Sequence, residues 1–279
     1  MVMQLPMPAI CSLQLVDDVV LERQGGVNAP LFNAVAAEWR ARVATYLASG
    51  GSPALVPTWP QIEPHKSTFQ NLFKSPAKGS AHAAALRALR DHALDTCPAC
   101  GEGVIPKTLD HYLPKGRFPH LSITPANLTP MCFACQLAKG EKTGDATTPR
   151  YFIHPYFDTF SEPQVLKLSV TPPFSQPTFV LFANPALTEV ERVLVESHLR
   201  ELKVHERYIT FFRNQHRRLL RQVSKMRDSG QDVVGTLTTF AFGYEAPTPN
   251  RWEHVFYEAV LSNPDFVTYL TEAELPPLL

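Results

Sequence analysis

Two short cysteine pairs, Cys97-x2-Cys100 and Cys132-x2-Cys135, constrain this 279-residue chain more than any other feature. Each pair sets two thiols on one tight turn, and residues 101–131 separate the turns. Three chemistries use such pairs. Two disulfides would suit an oxidising compartment, yet Cys11 makes the count odd. The opening Met1–Cys11 also has two prolines and no basic stretch of the kind a secretory leader carries. A thioredoxin-like redox site uses one pair and leaves the second unexplained. Four thiolates are the number that closes a tetrahedral structural zinc, so the pattern reads as a four-cysteine zinc site around a folded insert.

Composition bounds the rest. At 44% hydrophobic residues the chain can bury a real core, and it is too apolar to stay disordered. Lys plus Arg equals Asp plus Glu, 26 against 26, so any attraction to nucleic acid must come from local clustering. No apolar run is long enough to span a membrane, and a cytoplasmic protein is expected. Proline (26) outnumbers glycine (13), which predicts helices punctuated by proline-rich connections. There is no Gly-rich phosphate loop, so the chain is not expected to bind ATP itself.

The insert carries Leu109-Asp-His-Tyr-Leu-Pro-Lys115, then Asn127-Leu-Thr-Pro130, and after the second pair Gln136-Leu-Ala-Lys139. In this order these segments resemble the HNH endonuclease motif, the ββα-metal fold, many members of which flank the catalytic hairpin with two zinc knuckles. The resemblance covers roughly residues 96–148. The phrase around Asp110-His111, with Phe118-Pro, Leu121-Ser-Ile and the later Phe152-Ile-His-Pro-Tyr-Phe-Asp158, is similar to a bacterial subgroup of that family. That subgroup includes the nuclease subunits of anti-phage systems such as Septu and some retrons, which work beside an ATPase. The resemblance therefore implies DNA as substrate, an ATPase as partner and Asn127 as the central motif residue that orients His111.

The chemistry can be argued from the residues as well. Phosphodiester hydrolysis needs a base for water and a divalent ion for the developing charge. A neutral His111 suits the base. Asp110 is a hard oxygen donor for magnesium or manganese. Neighbours on a strand face opposite ways, so the two serve one site only where the strand ends or bulges. Gln136 stands where most relatives place Asn or His as a metal ligand, and its carbonyl sits one methylene further out. His120 and His154 are candidate extra ligands, although packed histidines are the commoner case. Lys139 and Lys142 are candidates for phosphate contact, with a solvated lysine face as the alternative.

Elsewhere, residues 30–48 read as a helix capped by Asn28, with Leu31, Val35, Trp39, Val43 and Leu47 as its core stripe. A second helix is expected over about 80–95, a hairpin over 165–170 and 177–183, and short helices over 251–262 and 264–273. Thr188 should cap one long helix running to about Asp228. Within 200–227, nine Lys or Arg face two acids, a local balance of +7. Arg213, Arg217 and Arg221 on this stretch could dock a phosphate backbone, or simply be solvated. The expected fold class is α+β, mainly helical with an embedded zinc-stabilised ββα-metal module. It divides into an N-terminal helical region (1–95), the module (96–158) and a C-terminal region (159–279). The expected function is a metal-dependent HNH endonuclease in anti-phage defence. The alternative is a degenerate HNH scaffold that binds nucleic acid or a partner without cutting, and an unrelated small-molecule enzyme has little room.

Overall fold

The computed structural model describes residues 2–276. The chain is mainly helical with two small antiparallel sheets, a mixed α and β architecture. Helices α1 (Ser12–Glu22), α2 (Ala29–Ala48), α3 (Lys66–Lys74) and α4 (Ala81–Arg90) come first. Strands β1 (Thr108–His111) and β2 (Leu128–Met131) pair next, with Thr108 opposite Met131 and His111 opposite Leu128, and helix α5 (Phe133–Lys139) follows directly. A second hairpin joins β3 (Leu166–Thr171) to β4 (Thr178–Ala183). The chain ends in α6 (Glu189–Glu201), α7 (Val204–Asp228), α8 (Val233–Gly243), α9 (Trp252–Leu261) and α10 (Pro264–Glu272).

Helix α2 begins where Asn28 and Pro30 place it, although the Asn28 side chain makes no capping bond. Its buried face is Phe32, Trp39, Val43 and Tyr46, while Leu31, Val35 and Leu47 are half-buried. The expected stripe of every fourth residue drifts off the core side. Four steps turn the helix about 400°, so each repeat rotates by about 40°, and a mixture of three- and four-residue steps keeps one face inward. Phe32, Trp39 and Phe69 pack ring to ring at 5.0–5.9 Å. From this cluster α2 and α3 grip the β1–β2 loop. Trp39 Nε1 donates to the His120 carbonyl at 2.7 Å and Tyr46 Oη to Ala126 at 3.1 Å. Ser122 Oγ donates to the Phe69 carbonyl at 2.7 Å.

The long helix expected after Thr188 is two helices. Thr188 forms a capping box with Glu191, but the chain turns at Leu202–Lys203, where Lys203 adopts a left-handed φ of 53°. Leu202 and Val204 on either side are both buried, so the turn directs two successive apolar groups into the core, which a continuous helix cannot do. One hydrophobic cluster runs from Val2 through the β1–β2 insert to Leu270. Among the described residues no helix is long and apolar enough to cross a membrane.

Candidate metal centre and adjoining histidine site

The two CxxC turns meet. Cys97, Cys100, Cys132 and Cys135 are all buried, and their sulfurs lie within 4.8 Å of one another. Tetrahedral zinc with Zn–S bonds of about 2.3 Å needs sulfurs about 3.8 Å apart, so a small contraction of this cluster holds the ion. The first turn depends on Gly101, whose φ is +81°, because a Cβ there would stand 2.2 Å from the Asn250 carbonyl oxygen. The second depends on α5, whose N-cap position is Cys132. Thiol protons shared with Cys100, Cys135 and Cys97 hold Cys132 far below the usual thiol range, while burial pushes Cys100 up. These shared protons are the ones a bound metal displaces. Soft thiolate donors in this number suit zinc and leave no open coordination position.

Four thiolates around a divalent ion leave a net double negative charge, which a buried site must offset. Arg207, on α7, offsets part of it. Its Nη2 donates to Cys135 Sγ at 3.1 Å and its Nη1 lies 3.8 Å from Cys100 Sγ. The guanidinium also pairs with Glu102 and sits 5.5 Å from the Trp252 ring. The Cys132 N–H donates to Cys97 Sγ at 3.3 Å. Sequence spacing gives no sign of Arg207 in this role, because it lies 72 residues beyond Cys135.

His111 is the last residue of β1, the strand end that Asp110 and His111 need in order to share a site. Its Nε2 lies 2.8 Å from the Ser122 carbonyl, which fixes the tautomer with the proton on Nε2. Nδ1 has no hydrogen-bond partner among the described residues. Burial, helped by the Lys115 charge, pushes His111 down to about 3, so the ring is neutral at pH 7. Asn127 is fully buried and staples the loop: its Oδ1 accepts from Leu113 N at 2.8 Å, and its Nδ2 donates to Leu113 O at 3.0 Å and Leu121 O at 3.2 Å. It does not bond the His111 ring. Asp110 is also buried, and burial raises its carboxyl above the usual range against the pull of Lys139. The Lys139 ammonium lies 3.0 Å from Asp110 Oδ2, in an ion pair without the alignment of a hydrogen bond, and donates to the His111 carbonyl at 2.7 Å.

The other sequence candidates fall in several places. Lys139, at 1% exposure, is sealed inside and is no surface phosphate contact. Lys142 Nζ is held by Glu201 at 3.1 Å. Gln136 is half-buried on α5, and its side chain has no partner among the described residues. His154 is a core histidine, with Nε2 on Tyr46 Oη at 2.8 Å and Nδ1 accepting from Tyr156 N at 3.1 Å. His120 is fully buried beside Trp59 and Phe118, and neither ring nitrogen has a partner among the described residues. Arg213 and Arg217 are exposed and line a cavity of about 590 Å³ with β4 residues and the turn before them. That cavity includes none of Asp110, His111, Asn127 or Gln136. Arg221 is exposed on the same helix.

No family profile and no solved structure matches the chain. It is 24% identical over 191 residues to protein ea31 of Escherichia phage lambda, a match covering 62% of this chain and 63% of the phage protein. The chain thus spans less than two thirds of the length of the curated relative it matches.

Proposed function

We propose that this chain is a metal-dependent endonuclease of the HNH type that hydrolyses DNA phosphodiester bonds, with structural zinc on Cys97, Cys100, Cys132 and Cys135. The setting of His111 carries the reading. A neutral imidazole, its tautomer fixed by the Ser122 carbonyl, leaves Nδ1 free at the end of β1, beside Asp110. The order hairpin, knuckle, helix from Thr108 to Lys139 supports the same reading.

In this mechanism His111 Nδ1 takes a proton from the attacking water. Burial makes it a weak base in the free protein, and an anionic phosphodiester alongside raises its basicity where the proton must move. Asn127 keeps the β1–β2 loop, and with it the Ser122 carbonyl, in register. Asp110 and Gln136 would hold magnesium or manganese, the Lys139 ammonium giving up its place 3.0 Å from Asp110 Oδ2. The ion, when bound, would stabilise the developing negative charge and the leaving oxygen. The resemblance to ATPase-partnered anti-phage nucleases extends the proposal to a defence role beside such a partner.

A second reading is favoured by the Lys139–Asp110 pair and by Gln136. A tethered ammonium already neutralises Asp110, which suits a scaffold that binds nucleic acid without cutting. The test is plasmid cleavage with magnesium or manganese, wild type beside His111→Ala, on protein assayed for zinc. Cleavage by the wild type alone supports the enzyme. Intact plasmid with both, in the presence of DNA binding, supports the scaffold.

A further inference from the structure

The basic stretch of α7 is the obvious candidate for holding nucleic acid, but the charges nearest His111 come from other elements. Phe73, at the end of α3, packs edge-on against the His111 ring with centroids 4.4 Å apart. Two cations stand over the same phenyl ring: the Lys115 ammonium at 5.4 Å and the Arg90 guanidinium at 5.5 Å from its centroid. Lys74 follows Phe73 directly and is held by Gln70 Oε1 at 2.9 Å. The Gln70 amide in turn donates to the Lys115 carbonyl at 3.1 Å, so one glutamine positions both lysines. Among the described residues none of Lys74, Arg90 and Lys115 forms an ion pair with a carboxylate. Among the described residues Arg90 donates only to the Leu86 carbonyl of its own helix.

This is an unbalanced arrangement. Lys115 and Lys139 bear on the neutral histidine directly, Arg90 stands over the Phe73 ring beside it and Lys74 faces Lys115, while the acids facing Lys115 are Asp110, already paired with Lys139, and the exposed Glu141. Burial pushes the Lys115 ammonium down, and the Lys74 and Lys139 charges add to that against the pull of Asp110 and Glu141. Like charges gathered on a half-buried aromatic wall repel one another unless an anion sits among them. Arg213 and Arg217 open instead into the cavity against the β3–β4 hairpin, apart from the His111 residues.

We propose that Phe73, Lys74, Arg90 and Lys115 form the phosphate-binding rim of the His111 site, so that a DNA backbone crosses the α3–α4 side of the insert and not the basic face of α7. The proposal rests on the nuclease reading for its substrate class, and its test separates the two. Phe73 walls one side of the imidazole and carries Arg90 and Lys115 over its ring. Each of the three unpaired cations contributes one contact to a phosphate oxygen and releases the counterions there.

The experiment measures binding of a short fluorescein-labelled DNA duplex to the full-length His111→Ala chain by anisotropy across a salt series. In that background we compare the triple variant Lys74→Ala/Arg90→Ala/Lys115→Ala with Arg213→Ala/Arg217→Ala/Arg221→Ala. The rim triple should weaken binding at least tenfold, and its log–log salt slope should flatten by about 0.9 per lost contact, up to about 2.7. The α7 triple should leave the slope unchanged, and a charge-keeping Lys74→Arg/Lys115→Arg variant should restore it. All three variants are checked for an unchanged melting temperature. A loss confined to the α7 triple, equal losses in both, or no binding by His111→Ala overturns the rim. Plasmid cleavage is scored separately. Binding through the rim without cleavage by the wild type retains the rim and discards the nuclease, and cleavage with an ineffective rim triple does the reverse.

Discussion

Acid should loosen this fold through histidines that are buried without charge, and His120 gives the cleanest measurement. Its ring is fully buried beside Trp59 and Phe118, and neither nitrogen has a partner among the described residues. Burial, with the Arg42 charge behind it, pushes it down to about 3, against about 6.5 in an unfolded chain. Below pH 6.5 the unfolded chain therefore binds a proton that the native chain refuses. The stability His120 contributes is fully present above about pH 6.5 and is lost as pH falls towards 3. Between about pH 7 and pH 5 the loss is about 2 kcal/mol, from 1.36 kcal/mol per unit over about 1.5 units. In a chain of this size that lowers the melting temperature by about 3–4 °C.

His120→Phe removes the titration and fills the same aromatic niche with a ring that needs no hydrogen bond. The four clustered cysteines and every other histidine are common to both proteins, so their acid responses cancel in the difference. Thermal melts followed by circular dichroism at several pH values should show the variant at least as stable as wild type near neutrality. Its advantage should widen by about 2 kcal/mol at pH 5. Parallel pH curves for the two proteins would refute the assignment of His120 as a buried neutral group.

Three further outcomes follow from the same geometry. Asn127→Ala leaves the buried Leu113 N–H and C=O unpaired, while the Leu121 carbonyl keeps its bond from Thr124 N, and should cost about 2 kcal/mol or more in urea unfolding; a cost under about 0.5 kcal/mol would show that the loop holds itself. Lys139→Met strands the buried Asp110 carboxylate and should cost about 3–5 kcal/mol, most of it recovered in the double variant with Asp110→Asn. If the double variant is no more stable than Lys139→Met, the pair is not what holds α5 to β1. Stripping the metal with a strong chelator, or Cys135→Ser, should abolish cooperative unfolding and release about one zinc per chain, read by elemental analysis and near-ultraviolet dichroism. A sharp, unchanged melt after chelation would remove the four-cysteine cluster from the structural role.

Local patterns with a short physical cause were legible in the sequence. The two knuckles converge as their spacing requires, the β3–β4 hairpin and helices α9 and α10 lie where alternation and Asn263-Pro264 put them, and Asp110 and His111 sit at a strand end. Helices α1, α3 and α8 were not legible. Residues 233–243 of α8 are rich in β-branched side chains and glycine, so propensity argues against a helix that Asp232 caps and tertiary packing stabilises. The break at Lys203 carries no glycine or proline to announce it. The roles of Arg207, Phe73 and Ser122 were also hidden, because each arises from contacts between elements distant in the chain or from a backbone atom that any residue supplies. The composition of 200–227 misleads for the same reason: it counts Arg207 among phosphate-facing charges, when the fold turns it onto sulfur.

The Arg207 contact also places the metal centre in time. On a translating ribosome the fourth cysteine emerges 72 residues ahead of the guanidinium that faces it. At about 5–20 residues per second that gap lasts about 4–14 s. Throughout it, any captured ion rests on thiolates still open to water and oxidants. Trp252, which donates to the Cys100 carbonyl and closes over the first knuckle, arrives later still. The newborn chain therefore passes through a vulnerable interval that the finished protein no longer has, and cells short of zinc or under oxidative stress should lose this protein during synthesis more than after it.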